Sequence, residues 1–152
     1  RDGDEIVYIE RTSSGGSRVR DVYLVGDRAA LHLTSLGKLF LAAENVAEVR
    51  AYAKRTGLPG KTPHSLTGLT ALEKELDKIR RHDLAYDNEE AEIGLRCLAA
   101  PIRDDQGTIV AGLSVSAPTD RHDPDWVAQI KATAEAISSA LGHLPPQSKT
   151  RA

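Results

Sequence analysis

The chain has 152 residues, with 20 Lys and Arg against 22 Asp and Glu, and a formal net charge of −2 at pH 7. This length suits one domain with a continuous core, and the balanced charge excludes the strongly basic surface that a nucleic-acid reader needs. A single cysteine, the absence of a membrane-spanning apolar run and the absence of a signal-peptide pattern predict a cytoplasmic protein without membrane contact. The chain contains no methionine, which is compatible with a piece of a longer protein.

The first half of the chain predicts a β-hairpin followed by three helices. Residues 5–11 and 19–25 are rich in β-branched and aromatic residues and flank a Gly/Ser-rich loop, so we expect them to pair. Apolar residues then recur at helical spacing in residues 31–43, with Thr34 or Ser35 as the N-cap. A short helix should end at Gly57, residues 58–68 should form an exposed loop, and the capping box of residues 70–73 should start a helix that runs to about His82.

The second half predicts three strands and a closing helix. Residues 84–87 enter an acidic turn, and residues 93–103 and 108–116 should form a hairpin around the turn at residues 104–107. Asp123 as cap and Pro124 at the first helical position should start a helix that stops at Gly142. The order of elements predicts an α+β fold, an antiparallel sheet of about five to six strands flanked by helices.

Few residues carry an obvious chemistry. The five histidines lack the spacing of a metal site and are expected to lie separately at the surface or in loops, so we expect no metal and no cofactor. Cys97 lies in an apolar run, where a lone cysteine is usually a small buried hydrophobe. The acidic residues at 87, 89 and 90 could be paired carboxylates, but loop character around them favours a solvated turn.

Ser114 and Ser116 lie two residues apart on a predicted strand, so their side chains share one face, opposite Leu113 and Val115. If the apolar face packs on the core and the other face is open, both hydroxyls are solvated. If helices cover both faces, the hydroxyls lie in an apolar cavity and need partners, as ligand donors would. The residue pattern leaves both possibilities open.

Several ordered motifs resemble the effector-binding domain of IclR-type transcriptional regulators. They are YDNEE at residues 86–90, GLRCLAAPIRD at 94–104 and AGLSVSAP at 111–118, together with VYIE at 7–10 and LHLTSLGK at 31–38. The resemblance covers residues 4–144. It implies a GAF-like α+β domain at residues 1–145, a flexible tail at 146–152, and a winged helix-turn-helix that this chain lacks.

The resemblance also implies a binding site. Members that bind small keto acids contact them through backbone N–H groups at the start of the first helix, an Asp, a Cys and two serines. Carried over to this sequence, the effector-binding residues are Ser35, Leu36, Asp87, Cys97, Ser114 and Ser116. Leu36 stands where the family often has Ala or Gly. The implied partners are a small organic acid, further copies of the chain in a homodimer or homotetramer, and DNA through the missing domain only.

The chemistry of these residues favours one class of ligand. A carboxylate at a helix N-terminus gains the dipole and charge-assisted hydrogen bonds. Asp87 would repel a second negative charge, so a hydroxy or keto acid suits the site better than a dicarboxylate. For a ligand of about six heavy atoms, the ceiling of about −1.5 kcal/mol per atom limits binding to about −9 kcal/mol, and we expect micromolar or weaker affinity.

Two alternatives to a ligand-sensing regulatory domain have distinct consequences. An enzyme, a hydrolase or thiol enzyme, would use Cys97 or Ser114 with His32 and Asp87, and would need a histidine within hydrogen-bond reach of the thiol. No nucleophile motif accompanies these residues, so we expect no enzyme and assign no catalytic residue. The other alternative is a dimerisation module with a vestigial pocket.

Overall fold

The computed structural model describes residues 1–13, 23–121 and 123–144, and these contain two small antiparallel sheets and four α-helices. The strands are β1 (Glu5–Val7), β2 (Arg28–Ala30), β3 (Ala85–Asn88), β4 (Leu95–Arg103) and β5 (Ile109–Pro118). The helices are α1 (Ser35–Ala43), α2 (Val46–Thr56), α3 (Leu69–His82) and α4 (Trp126–Ala140), with 3-10 turns at Leu31–Leu33 and Thr119–Arg121. The predicted order of strands and helices is confirmed.

The larger sheet has the order β3-β4-β5, and both pairs are antiparallel. Its register places Asp87 opposite Cys97 and Cys97 opposite Ser116, so these three residues form one row across the sheet. The next row on the same face consists of Ala85, Ala99 and Ser114. Side chains alternate along a strand, so a whole row shares one face.

The opposite face of this sheet packs on α4. Leu98, Ala100 and Ile102 of β4 join Ile130 and Ala134 of α4 in one apolar cluster, and Leu113 and Val115 of β5 pack against it. The face that carries Asp87, Cys97 and the two serines contacts α1 instead. The sheet therefore lies between two helices.

Helix α1 approaches β5 closely because Gly112 has no side chain. A Cβ atom at this position would lie 2.7 Å from Cδ2 of Leu36 and 3.2 Å from Cδ1 of Leu39. Both distances are shorter than ordinary van der Waals contact, so the glycine sets how near the start of α1 comes to the strand. The predicted site residues of the helix and of the sheet are thus brought onto one side.

The first predicted hairpin differs from the structure in its pairing. Strand β1 covers residues 5–7 rather than 5–11, and it pairs with β2 at residues 28–30. Residues 23–25 are not in a strand, and residues 19–22 of the predicted second strand lie outside the described residues. The prediction missed β2 because its sequence, Arg-Ala-Ala, has no β-branched residue, and its pairing comes from the burial of Ala29 beside Ile6.

The helix boundaries were predicted unevenly. Thr34 is the N-cap of α1, where its hydroxyl accepts from the Gly37 N–H at 3.0 Å. The capping box at residues 70–73 was wrong, since α3 begins at Leu69 after Gly68, without a side-chain cap. Helix α4 begins at Trp126, because the Asp123 carboxylate accepts from the Asp125 N–H and holds a separate turn ahead of it. None of the described helices combines the length and the apolar composition that a membrane span requires.

Candidate functional site

The row formed by Asp87, Cys97 and Ser116 crosses three strands, and a side-chain hydrogen bond links two of its members. The Ser116 hydroxyl donates to Sγ of Cys97 at 3.0 Å. Asp87 and Cys97 are register partners across β3 and β4, so their side chains are neighbours on the same face. Asp87 is 1% exposed and Cys97 is 7% exposed, whereas Ser116 is exposed. Three of the six predicted effector residues therefore form one polar chain that runs from the surface to a buried carboxyl.

The Asp87 carboxyl closes the turn that follows β3. Its Oδ1 accepts from the Glu90 N–H at 2.7 Å and the Ala91 N–H at 3.4 Å. Burial raises the pKa of Asp87 above its ordinary value, and the two N–H groups and the nearby Lys38 ammonium only partly oppose this rise. The expectation of a solvated acidic turn was wrong for Asp87 and for Glu90, because both are buried.

The Cys97 thiol is held in its neutral form. Burial raises the pKa of Cys97 to about 12, and the charge of Asp87 adds to the effect. A thiol becomes a nucleophile through a lowered pKa and a neighbouring base. Cys97 instead has the properties of a weak hydrogen-bond donor and acceptor inside the polar row.

The start of α1 supplies the other predicted contacts. Thr34 caps the Gly37 N–H, while the N–H groups of Ser35 and Leu36 belong to the first turn, which has no intrahelical acceptors. Ser35 is buried, and Leu36 is half-buried with its side chain over Gly112 of β5. Ser114 is half-buried on the same face. In the part of the chain that the structure describes, neither the Ser35 nor the Ser114 hydroxyl forms a hydrogen bond.

A buried ion pair, which sequence reasoning missed, connects α1 to the acidic turn. Nζ of Lys38 lies 2.7 and 2.9 Å from the two carboxylate oxygens of Glu90, and 3.9 Å from Oε1 of Glu75 on α3. The Lys38 side chain is 0% exposed. Burial raises the pKa values of Asp87 and Cys97, and the Lys38 charge partly opposes both rises. Lys38 therefore supplies the positive charge next to the polar row.

The loop at residues 58–68 fastens the same turn from outside. The Thr62 hydroxyl donates to the Glu89 carbonyl at 2.6 Å, and the Ser65 hydroxyl donates to the Glu90 carbonyl at 2.7 Å. Glu89 has a positive φ of 61°, a conformation that costs a non-glycine residue energy and that these bonds help to hold. The predicted loop is confirmed as irregular, and its hydroxyl groups contribute to the shape of the turn.

His32 is fully buried, contrary to the expected surface or loop location, and both of its ring nitrogens have partners. Nδ1 lies 2.7 Å from the Tyr52 hydroxyl and Nε2 lies 3.0 Å from the Pro59 carbonyl. The Tyr52 oxygen also accepts from the His32 backbone N–H at 3.2 Å, so Tyr52 is free to donate to Nδ1 while Nε2–H donates to Pro59. Burial, followed by the charge of Lys38, lowers the pKa of His32. The histidine thus links α2 to the loop that follows it, and its ring nitrogens do not act as a base for the Cys97 thiol.

Two tyrosines from the first part of the chain stack on each other against the main apolar cluster. The rings of Tyr8 and Tyr23 stack with centroids 4.6 Å apart and an interplanar angle of 16°. Burial raises the pKa of both phenols, that of Tyr23 to about 12, and a negative charge on Asp87 raises both further.

A separate cleft opens on the other side of the domain. It has a volume of about 550 Å³, and its walls come from the end of α3, the β4-β5 turn and α4. It is lined by Arg81, His82, Asp83, Ala100, Pro101, Arg103, Gly107, Lys131, Ala134, Glu135, Ser138 and His143. None of the six predicted effector residues lines it. No group of three or more metal-ligating side chains occurs in residues 1–13, 23–121 and 123–144.

The model of the bacterial transcriptional regulator IclR C-terminal family matches residues 1–139 of the chain. The chain belongs to the IclR family. The transcriptional regulator KdgR of Escherichia coli is 36% identical over 146 residues, which cover 93% of this chain and 55% of KdgR. The chain spans about half the length of the curated relatives it matches.

Solved IclR-family structures have the same fold. IclR of Thermotoga maritima superposes with a TM-score of 0.84 at 37% identity, covering 94% of this chain and 59% of that chain. The inducer-binding domain of PobR from Acinetobacter, solved as a double mutant with 3-hydroxybenzoic acid, superposes with a TM-score of 0.81 at 28% identity, covering 95% and 85%. The predicted GAF-like α+β fold and the resemblance to IclR-type regulators are confirmed. The relatives are named transcriptional regulators, so this IclR-family chain is a regulator's C-terminal domain.

Proposed function

We propose that this domain binds a small organic acid, with a hydroxyl, a keto group or an aromatic ring, and thereby modulates operator binding by a transcriptional regulator. The observation that carries the proposal is the row of Asp87, Cys97 and Ser116 beside the start of α1, in which the Ser116 hydroxyl donates to Cys97. A buried carboxyl, a neutral thiol and hydroxyl groups there adjoin helix N–H groups that lack intrahelical acceptors. These groups suit an acid with a second polar function.

The ligand carboxylate would bind at the Ser35 and Leu36 N–H groups, where the helix dipole favours negative charge. The Ser114 hydroxyl, which lacks a partner among the described residues, would donate to the same ligand. Asp87 would accept from a ligand hydroxyl, or donate while protonated, because burial raises its pKa. The complex of PobR with 3-hydroxybenzoic acid is a related case of an acid with a second oxygen.

Two observations disfavour an enzyme. Cys97 has a raised pKa, and both nitrogens of His32 bond to Tyr52 and Pro59 rather than to a nucleophile. The proposal therefore assigns no catalytic residue. It places residues 1–145 in the effector-binding domain and residues 146–152 in a tail, with a winged helix-turn-helix outside this chain. A cytoplasmic homodimer or homotetramer would pass the signal to DNA through those missing domains by shifting the population of DNA-competent arrangements.

A thermal-shift screen tests the proposal. The panel is glyoxylate, pyruvate, lactate, propionate, 3-hydroxybenzoate and benzoate, applied to the wild-type domain and to Asp87→Asn, Ser114→Ala and, as a control in the separate cleft, Lys131→Gln. An acid at 100 times its dissociation constant should add about 2.7 kcal/mol of stability. We expect the acid to stabilise the wild type and Lys131→Gln, and we expect this stabilisation to be lost in Asp87→Asn and Ser114→Ala.

Two outcomes would contradict the proposal. If the wild type responds to none of these acids, the domain is not a sensor of this class. If Asp87→Ala combined with Ser114→Ala leaves effector-dependent regulation intact in the full-length protein, the pocket is vestigial and the domain is a dimerisation module.

A further inference from the structure

Two buried carboxyl groups share one buried ammonium group next to the row of Asp87, Cys97 and Ser116. The Lys38 side chain is 0% exposed, while Asp87 is 1% and Glu90 is 5% exposed. Nζ of Lys38 contacts both Glu90 oxygens, at 2.7 and 2.9 Å, so this ion pair is neutral as a unit. Asp87 accepts from backbone N–H groups of the turn but has no ion-pair partner among the described residues. The cluster of Lys38, Asp87 and Glu90 therefore has two negative charges and one positive charge when both carboxyls are ionised.

The described side chains around this cluster add no second buried cation. Glu75 of α3 places a third carboxylate 3.9 Å from Nζ of Lys38, and its other oxygen pairs with Lys78 at the surface. The start of α1 contributes the partial positive charge of a helix N-terminus, about half a unit charge. These groups leave the second buried carboxyl without full compensation.

The remaining titratable groups near the cluster stay neutral around pH 7. Besides Lys38 and Glu90, the described titratable side chains that face Asp87 or respond to its charge are Cys97, Tyr8 and Tyr23. Burial raises the pKa of all three, to about 12 for Cys97 and Tyr23. The Lys38 charge also acts on His32, and burial lowers the pKa of that histidine. A change of charge in the cluster near pH 7 therefore falls on Asp87 or Glu90.

An acid that binds between the start of α1 and Asp87 brings one more negative charge to this cluster. Small carboxylic acids have pKa values of about 4 or below, so they are monoanions near pH 7. The Lys38 ammonium already pairs with Glu90 and is not available to the ligand. Carboxylates that share one buried site cannot all remain ionised, and the pKa of one of them rises strongly. The bound state is therefore favoured when one buried carboxyl becomes neutral.

We propose that the effector binds as a monoanion together with one proton, which the two buried carboxyls of Asp87 and Glu90 take up from solvent and hold as a pair. This inference rests on the proposed function and specifies the regulation of its site. The proton adds to a carboxylate oxygen, and the charge of the cluster with its bound acid equals the charge of the empty cluster. Affinity should therefore fall as pH rises, over a range in which the acid itself does not change charge.

Calorimetric titration with pyruvate and 3-hydroxybenzoate tests the inference. Titrations at one pH in HEPES and in Tris, two buffers with different ionisation enthalpies, count the protons taken up per bound acid. A series between about pH 6.5 and pH 8 gives the dissociation constant while both acids remain monoanions. The proteins are the wild type, Glu90→Gln and the matched control Glu73→Gln, which removes a carboxylate that pairs with Arg50 at the surface. Circular dichroism checks that each variant folds.

We expect the wild type and Glu73→Gln to take up about one proton per acid, and their dissociation constants to rise by up to about 10-fold per pH unit. In Glu90→Gln the Lys38 ammonium can compensate Asp87. Its proton uptake should therefore be close to zero, and its dissociation constant should change by less than about 2-fold per pH unit.

Three outcomes would overturn the inference. If the wild type binds an acid without proton uptake, the inference is wrong and the proposed function stands. The same holds if a folded Glu90→Gln takes up as many protons as the wild type, because the proton then belongs to another group. If the wild type binds neither acid, the inference and the proposed function are both wrong. Should Glu90→Gln not fold, the proton count of the wild type alone decides.

Discussion

The variant Lys38→Met removes the ammonium group from the buried ion pair and keeps an unbranched side chain in α1. In the wild type, Nζ of Lys38 lies 2.7 and 2.9 Å from the Glu90 oxygens, and the Glu90 carboxylate is buried. Removing one partner of such a pair typically costs about 3 to 5 kcal/mol, because it leaves an uncompensated charge in the interior. Glu90 in the variant also lies beside Asp87, whose charge raises the Glu90 pKa further.

The pH decides how much of this cost is observed. Glu90 in the variant can become neutral by binding a proton. For a carboxyl with an ordinary pKa of 4.5, protonation costs roughly 3 kcal/mol at pH 7 and under about 1 kcal/mol at pH 5. In the variant the folded pKa of Glu90 lies above the unfolded value. Its contribution to stability is therefore full below about pH 4.5 and is lost as pH rises toward the folded pKa. The destabilisation relative to wild type should grow from pH 5 to pH 7 by at most about 3 kcal/mol, because burial raises the Glu90 pKa in the wild type too and Lys38 only opposes this rise.

Urea unfolding at pH 5 and pH 7 measures this difference. Lys78→Met is the matched control, since Lys78 pairs with Glu75 at the surface and should contribute at most about 0.5 kcal/mol at either pH. The double variant Lys38→Met with Glu90→Gln should lose the part of the pH dependence that comes from Glu90 and keep only the part that comes from the buried Asp87 carboxyl. The reasoning would be refuted if Lys38→Met lowered the free energy of unfolding equally at both pH values, or by less than about 1 kcal/mol at pH 7.

Three further predictions follow from the same face of the sheet. Gly112→Ala should lower the free energy of unfolding by about 1 to 2 kcal/mol, because the added methyl group overlaps the Leu36 side chain. Unchanged stability in urea unfolding would show that α1 can move to accommodate the methyl group. Cys97 should resist iodoacetamide at pH 7.5 until urea unfolds the chain, because its pKa is raised to about 12, and labelling as fast as that of free cysteine would contradict this. Thr34→Ala should lower the free energy of unfolding by about 1 kcal/mol, and Thr34→Ser by much less, because the hydroxyl accepts from the Gly37 N–H. Urea unfolding measures both values, and equal losses of stability would exclude the capping role.

Local patterns predicted the elements that carry the site. The hairpin of β4 and β5 followed from two apolar runs around a turn, and the Thr34 cap followed from a threonine ahead of a helical repeat. The prediction that the Ser114 and Ser116 side chains share one face of the sheet followed from the alternation of side chains along a strand. These features depend on residues close in sequence, which is why one sequence suffices to find them.

The electrostatic environment could not be predicted in the same way. Lys38 is separated from Glu90 by 52 residues, and a lysine in an amphipathic helix ordinarily indicates a solvated position. The burial of Asp87 and Glu90 depends on α1 and on the loop hydroxyls of Thr62 and Ser65, not on the acidic turn itself. The six effector residues came from a family resemblance rather than from spacing, and their binding role stays a prediction.

The most direct test of the central claim is an amide NMR titration of the wild-type domain with pyruvate and with 3-hydroxybenzoate. If an acid binds at the polar row, the amides of Ser35, Leu36 and Cys97, and those beside Ser114 and Ser116, should shift saturably, while amides of the separate cleft around Lys131 stay in place. Saturable shifts confined to that cleft, or no saturable shift with either acid, would contradict the claim.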